Sequence, residues 1–282
     1  MNLRDILVFL DAGSAGEGRF QLATNVARDH GANLSAVFLQ NGHATGSPPR
    51  LSAPWLGATD EPPIPGTTVT YATRPDSAEQ VFHDRLRSLR IEGDWKRVNR
   101  VDTNELIAFA QASDLVIIGQ VDPDARPAPA CRPEEIVIGC GRPVLMVPYI
   151  GSYTEIGRRV LVAWDGSREA ARALNDALPL IRAAAAVTVM TVRARAKDLN
   201  HGDASTERVV RHLARHGVAA RVDEALQLGA PISDVLLSRS VDLAADLIVA
   251  GAYHHSQLRE ALLGGVSREL FHHMTLPVLM SH

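Results

Sequence analysis

Asp246-Leu247-Ile248-Val249-Ala250-Gly251 is an almost unbroken apolar run closed by a glycine, and Asp114-Leu115-Val116-Ile117-Ile118-Gly119 repeats it. A strand with one wet face alternates apolar and polar residues. A continuous Val/Ile/Leu run marks a strand covered on both faces, as in a parallel sheet. Two further pairs keep the same order. Arg4-Asp5-Ile6-Leu7-Val8-Phe9-Leu10-Asp11 aligns with Arg159-Val160-Leu161-Val162-Ala163-Trp164-Asp165, each stopping at an aspartate. Arg142-Pro143-Val144-Leu145-Met146-Val147 aligns with Leu276-Pro277-Val278-Leu279-Met280-Ser281. Three anchors at similar separations imply two copies of one fold, with boundaries at 1–150 and 151–282.

Between the anchors the apolar spacing changes from continuous to three and four, the period of amphipathic helices. Such segments run from Gly16 to His30, Ser77 to Ile91, Thr103 to Ala112, Ser167 to Arg182, Ala204 to His216 and Pro231 to Leu243. Each copy therefore reads β-α-β-α-β-α-β-α-β, and right-handed crossovers make it a doubly wound, five-stranded parallel sheet. The expected fold class is α/β, with two such domains in tandem. Residues 41 to 75 carry Pro48-Pro49, Pro62-Pro63 and Pro65; they break any regular element and read as a long loop after the second strand. Tyr149 to Gly157 lacks periodicity and reads as the linker.

With 282 residues and 46% hydrophobic composition the chain has ample material for a core. Its 29 basic and 32 acidic residues give a formal charge of -3 without a basic block, which does not favour a nucleic-acid partner. The start, MNLRDILVFLDAG, runs directly into a strand and has no signal-peptide pattern, and no apolar run reaches membrane-span length. A cytoplasmic protein with no membrane partner is expected. Cys131 and Cys140 are the only cysteines, too few for a disulfide framework and without metal-ligand spacing, so free thiols are expected.

In an open parallel sheet, ligands bind beyond the carboxyl ends of the strands where strand order reverses. In the second copy that point is flanked by Asp165 and Gly251. Downstream, Gly264-Gly265-Val266-Ser267 opens a helix. Glycines let backbone approach an anion, and the free N–H groups and dipole of a helix start favour phosphate. The Gly-Gly pair also reads as an ordinary turn, Asp165 as an N-cap of the following helix, and Val192 as plain core.

The five-stranded unit, Asp165-Gly166-Ser167, the loop after Gly251 and the terminal Leu276-Pro277-Val278-Leu279-Met280 together resemble the universal stress protein family, over nearly the whole chain. The resemblance implies a Rossmann-like fold of the adenine nucleotide alpha hydrolase type and a site for ATP or a related adenine nucleotide. The family's binding members carry Gly, two residues, Gly, nine residues, Gly, then Ser or Thr. Here Gly251 and Gly264 fall in register, while His254 and Gly265 replace the second glycine and the hydroxyl residue. The resemblance places Asp165 at the adenine or ribose side, Val192 on the base, Ala250 and Gly251 at the ribose, and Gly264, Gly265, Val266 and Ser267 at the phosphates, with His254 either assisting an anion or blocking it.

The first copy departs further. Asp122 and Arg132-Pro133 stand at the glycine positions, with Pro123, Pro127 and Pro129 between them. Asp122 and Asp124 oppose phosphate, Arg126 and Arg132 partly offset them, and Asp11 is left to cap a turn. A structural or dimerising half, or one that holds something other than a triphosphate, is expected. No P-loop, Gly-x-Ser-x-Gly elbow or Gly-x-Gly-x-x-Gly turn occurs. His254-His255, His272-His273 and His282 read as exposed or hydrogen-bonding groups rather than zinc ligands. The leading expectation is a stress-response protein that binds adenine nucleotide in the second copy without efficient catalysis, needs no metal, and pairs its copies within the chain or in a homo-oligomer. The alternatives are a nucleotide-free oligomeric scaffold and, less favoured, an enzyme related to the hydrolases and amide-forming synthetases of similar fold.

Overall fold

The computed structural model describes residues 2–11, 15–39, 75–98, 102–124, 131–193, 204–252 and 265–282. The first copy consists of β1 (Asp5–Asp11), α1 (Ala15–His30), β2 (Asn33–Leu39), α2 (Pro75–Leu89), β3 (Trp95–Val98), α3 (Thr103–Gln111), β4 (Leu115–Gly119), α4 (Pro133–Gly139) and β5 (Val144–Val147). The second consists of β6 (Arg159–Ala163), α5 (Arg168–Ile181), β7 (Ala186–Arg193), α6 (Ala204–Arg215), β8 (Ala220–Leu226), α7 (Ile232–Asp242), β9 (Leu247–Gly251), α8 (Gly265–His273) and β10 (Val278–Ser281). Each helix read from spacing is present within a few residues of its expected ends. The proline-rich stretch 41–75 lies outside the described residues apart from Pro75, where α2 begins.

Both copies have the doubly wound order, β3-β2-β1-β4-β5 and β8-β7-β6-β9-β10, with every pair inside a copy parallel. The two sheets are continuous. β5 pairs with β10 antiparallel, Leu145 opposite Leu279 and Val144 and Met146 opposite Met280 and Val278. Leu145 and Leu279, aligned by the internal repeat, thus face each other while their neighbours pair crosswise, as in the isologous interface of a two-fold dimer. The chain forms this pairing within itself, and among the described residues the result is one ten-stranded sheet.

The continuous apolar runs are buried throughout: β4 and β9 share one pattern, four buried residues and then a half-buried glycine. One apolar layer gathers Phe20, Val26 and Phe82 of the first copy with Ala173, Leu174 and Leu213 of the second. The opposite layer joins Leu106 and Ile136 to Leu236, Leu270 and Phe271. Helices α1, α2, α5 and α6 thus cover one face and α3, α4, α7 and α8 the other.

The aspartate that opens each repeated anchor has a structural role. Asp114 accepts the backbone N–H groups of Arg4 and Asp5 at 2.8 and 3.2 Å, tying the start of β4 to the start of β1. Asp246 does the same for β6, accepting from Gly157, Arg158 and Arg159 at 2.8 to 3.2 Å. Burial pushes the Asp246 carboxyl above its ordinary range, although these N–H groups pull the other way. Between β5 and β6 no regular element forms, and the Tyr153 hydroxyl lies 2.8 Å from the Thr275 carbonyl oxygen, holding that connection against the second copy. No helix among the described residues is long and apolar enough to cross a membrane.

Candidate functional site

Strand order reverses between β6 and β9, so the expected crevice lies at their carboxyl ends. Asp165 is exposed, two residues past β6, and its Oδ1 accepts the Ser167 N–H at 2.9 Å. Gly166 turns the chain with φ 80°. The cap of α5 is Ser167, whose Oγ accepts the Ala170 N–H at 3.0 Å. The N-cap reading of Asp165 is therefore corrected: its carboxylate closes the turn one step earlier and keeps its other oxygen for a donor.

Gly251 ends β9 against the first turn of α5. A Cβ there would lie 2.5 Å from the Ala170 nitrogen and 2.6 Å from the Glu169 carbonyl carbon. The bare Cα is what lets strand and helix start meet, so Gly251 has a packing reason beside any ligand role. Ala250 is buried beneath it, and Val192, near the end of β7, is half-buried against the layer that holds α7 and α8. Gly265 is the exposed first residue of α8, with no heavy atom of the described residues within 4 Å of where its Cβ would be. Val266 packs at the edge of the same layer as Val192. Ser267 lies on the buried side of α8 with Leu270 and Phe271, so it belongs to the helix packing rather than to the open helix start. His254 and Gly264 lie outside the described residues.

Residues 157–282 match the model of the universal stress protein family. The second copy is thus a universal stress protein domain. No curated protein sequence matches it significantly. Among solved structures, it is similar to a universal stress protein from Archaeoglobus fulgidus DSM 4304, with TM-score 0.64 and 13% identity over 98% of this chain and 95% of that one. A Pseudomonas aeruginosa UCBPP-PA14 protein assigned to the same family gives TM-score 0.62 and 17% identity over 99% and 93%. The cytoplasmic domain of a prokaryotic cation chloride cotransporter gives TM-score 0.51 and 12% identity over 99% and 96%. At these identities the structures establish a shared fold, and that fold serves proteins of different function.

Within this universal stress protein domain, the spacing of motifs did not reveal Glu169. Its side chain is 7% exposed, in the first turn of α5, beside Gly251, and takes a hydrogen bond from Arg168. Acidic residues are common in a first helical turn, where they complement the dipole; nothing in the sequence distinguishes this one. Its charge is met by Arg168 at 2.9 Å, so of these two acidic residues Asp165 is the exposed one. A separate concavity of about 370 Å³ opens on the other side of the Asp165 turn, between α5 and α6, where the Trp164 indole donates to Ser205 Oγ at 3.1 Å.

The first copy is arranged differently. Asp122 turns back to accept the Asp124 N–H at 2.9 Å, while Arg126, Pro127 and Pro129 lie outside the described residues. Asp11 does not merely cap a turn: it forms a 3.0 Å ion pair with Arg19 of α1, whose side chain is 6% exposed. Cys131 and Cys140 are free and buried, and burial, reinforced by Glu135 and Glu134, pushes the Cys131 thiol up to about 12.

Proposed function

We propose that this universal stress protein acts in the cytoplasm and binds ATP or a related adenine nucleotide in the second copy, without efficient turnover, signalling occupancy to a partner. The observation that carries this reading is the glycine at the start of α8, uncrowded by any described residue. Gly265 leaves bare backbone at the N-terminus of α8, the helix that follows β9 in the chain, where N–H groups and dipole favour phosphate. Asp165, with one carboxylate oxygen engaged by the Ser167 amide, retains an acceptor for the exocyclic amine or ribose hydroxyl. Val192 supplies an apolar surface for the base.

Calorimetric titration of ATP into protein stripped of co-purifying small molecules tests this. A single ATP per chain is expected. Gly265→Asp places a negative charge where no protein atom is crowded, so it should weaken ATP by about tenfold or more while the melting temperature holds. Asp122→Ala in the first copy should leave affinity unchanged. Equal effects of the two substitutions would remove the site from the second copy. The exposed Asp165 carboxylate favours a second reading, a nucleotide-free scaffold, because a carboxylate near a polyphosphate opposes it. Absence of heat with ATP, ADP and AMP selects it.

A further inference from the structure

The first copy has its own switch point, between the carboxyl ends of β1 and β4, and that point is filled. Arg19 reaches back from α1 to donate through Nη1 to the Phe9 carbonyl at 2.7 Å and to Asp11 Oδ2 at 3.0 Å. Its other terminal nitrogen occupies the space over Gly119, 2.1 Å from where a Cβ on that residue would lie. Gly119 is the repeat partner of Gly251, but where the α5 backbone at Glu169 and Ala170 closes over Gly251, a guanidinium closes over Gly119. The same interval that separates Arg19 from Asp11 leads from Asp165 to Ala173, which carries no charge. Burying a guanidinium is costly unless acceptors and a counter-charge are in place. Here a carbonyl and a carboxylate meet it, while its Nε is buried without a hydrogen-bond partner among the described residues.

We infer that the first-copy crevice is a site for a planar cation of the guanidinium or amidinium class, permanently occupied by the chain's own Arg19. The first copy thus stays in its filled form whatever the nucleotide level, and only the second copy responds to a ligand. The site's chemistry follows from its acceptors: Phe9 O and Asp11 Oδ2 lie within hydrogen-bond reach of one Arg19 nitrogen, and the absent side chain of Gly119 leaves room for the planar group's far edge. This inference rests on the preceding section only for the contrast between copies; the site itself stands on Arg19.

Arg19→Ala should vacate it. Thermal melts of the full chain in millimolar methylguanidinium, far below denaturing concentration, should show the variant's melting temperature rising by about a few degrees, as ligand linkage requires. Wild type should not respond, and methylammonium, which carries the charge without the plane, should do less for the variant. Equal responses of wild type and variant, or none in a folded variant, would overturn the assignment. Should the variant not fold, the wild-type chain gives a second reading by nitrogen-detected exchange of the Arg19 guanidinium. Its hydrogens should exchange slowly with water and keep their shifts at saturating ATP. Gly119→Ala, which crowds the guanidinium out, should make them exchange freely. Rapid exchange in wild type refutes the inference. A chain that binds no nucleotide would defeat the preceding section and leave the methylguanidinium result intact.

Discussion

A methyl group added at Gly251 collides with backbone, and one added at Gly265 meets nothing among the described residues within 4 Å. Gly251→Ala should therefore cost about 1–3 kcal/mol by forcing β9 and α5 apart. Gly265→Ala should be neutral or stabilising by up to about 1 kcal/mol, since alanine is the better helix former. Urea titrations of both variants check this, and similar losses would contradict the packing described at Gly251. The thiols give a second residue-scale prediction. A Cys131 that holds its proton up to about 12 is a poor nucleophile, and Cys140 is likewise pushed up by burial. Both should resist disulfide-exchange reagents in the native chain and react fully once it is unfolded. The sign of the pH effect is fixed: above the ordinary thiol range the unfolded chain has released a proton that the folded chain retains, so stability falls as pH rises toward about 12. Cys131→Ala should lose less stability than wild type over that range.

At the scale of elements, α8 is held from the first copy. Gln120, 6% exposed just after β4, donates its amide to the Phe271 and His272 carbonyls at 3.0 and 3.1 Å and accepts the Tyr149 N–H at 3.4 Å. Carbonyls in a last helical turn have no intrahelical donor, and leaving them buried and unpaired costs about 1–3 kcal/mol. Gln120→Leu should destabilise by that amount in urea, although the substitution lies in the other copy. A change below a few tenths would show that water replaces the amide. The helix segments themselves were legible from three-and-four spacing, and Ser167 stood at the start of its own segment. Gln120 was not legible, because a single amide after a strand has no pattern; its partners are set by how the copies are placed.

For the whole molecule, the seam at Leu145 and Leu279 and two apolar layers shared by both copies make separate melting of the halves unfavourable. Differential scanning calorimetry should give one transition with equal calorimetric and van't Hoff enthalpies. Two resolved transitions would mean that the seam contributes little. With β5 and β10 paired to each other, the ends of the sheet are β3, Trp-Lys-Arg-Val, and β8, which carries Arg221, Asp223 and Glu224. Charges on edge strands discourage further strand addition.

The sequence by itself determined the two copies, the α/β alternation and the buried strands, because hydrophobic period and repeated anchors are properties of neighbouring residues along the chain. It also pointed to Asp165, Val192, Ala250, Gly251, Gly265, Val266 and Ser267, through spacing that resembles a family, and to His254 and Gly264, which the described residues do not include. Only the tertiary structure decided that the two sheets fuse antiparallel through β5 and β10. Only it separated the cap at Ser167 from the turn at Asp165, turned Ser267 into the packed side of α8, and brought Glu169 against Gly251. The Arg19 guanidinium over Gly119 belongs with these. Arg19 and Gly119 are distant in sequence, and a long side chain on a helix reads as solvated until the strands beneath it are placed.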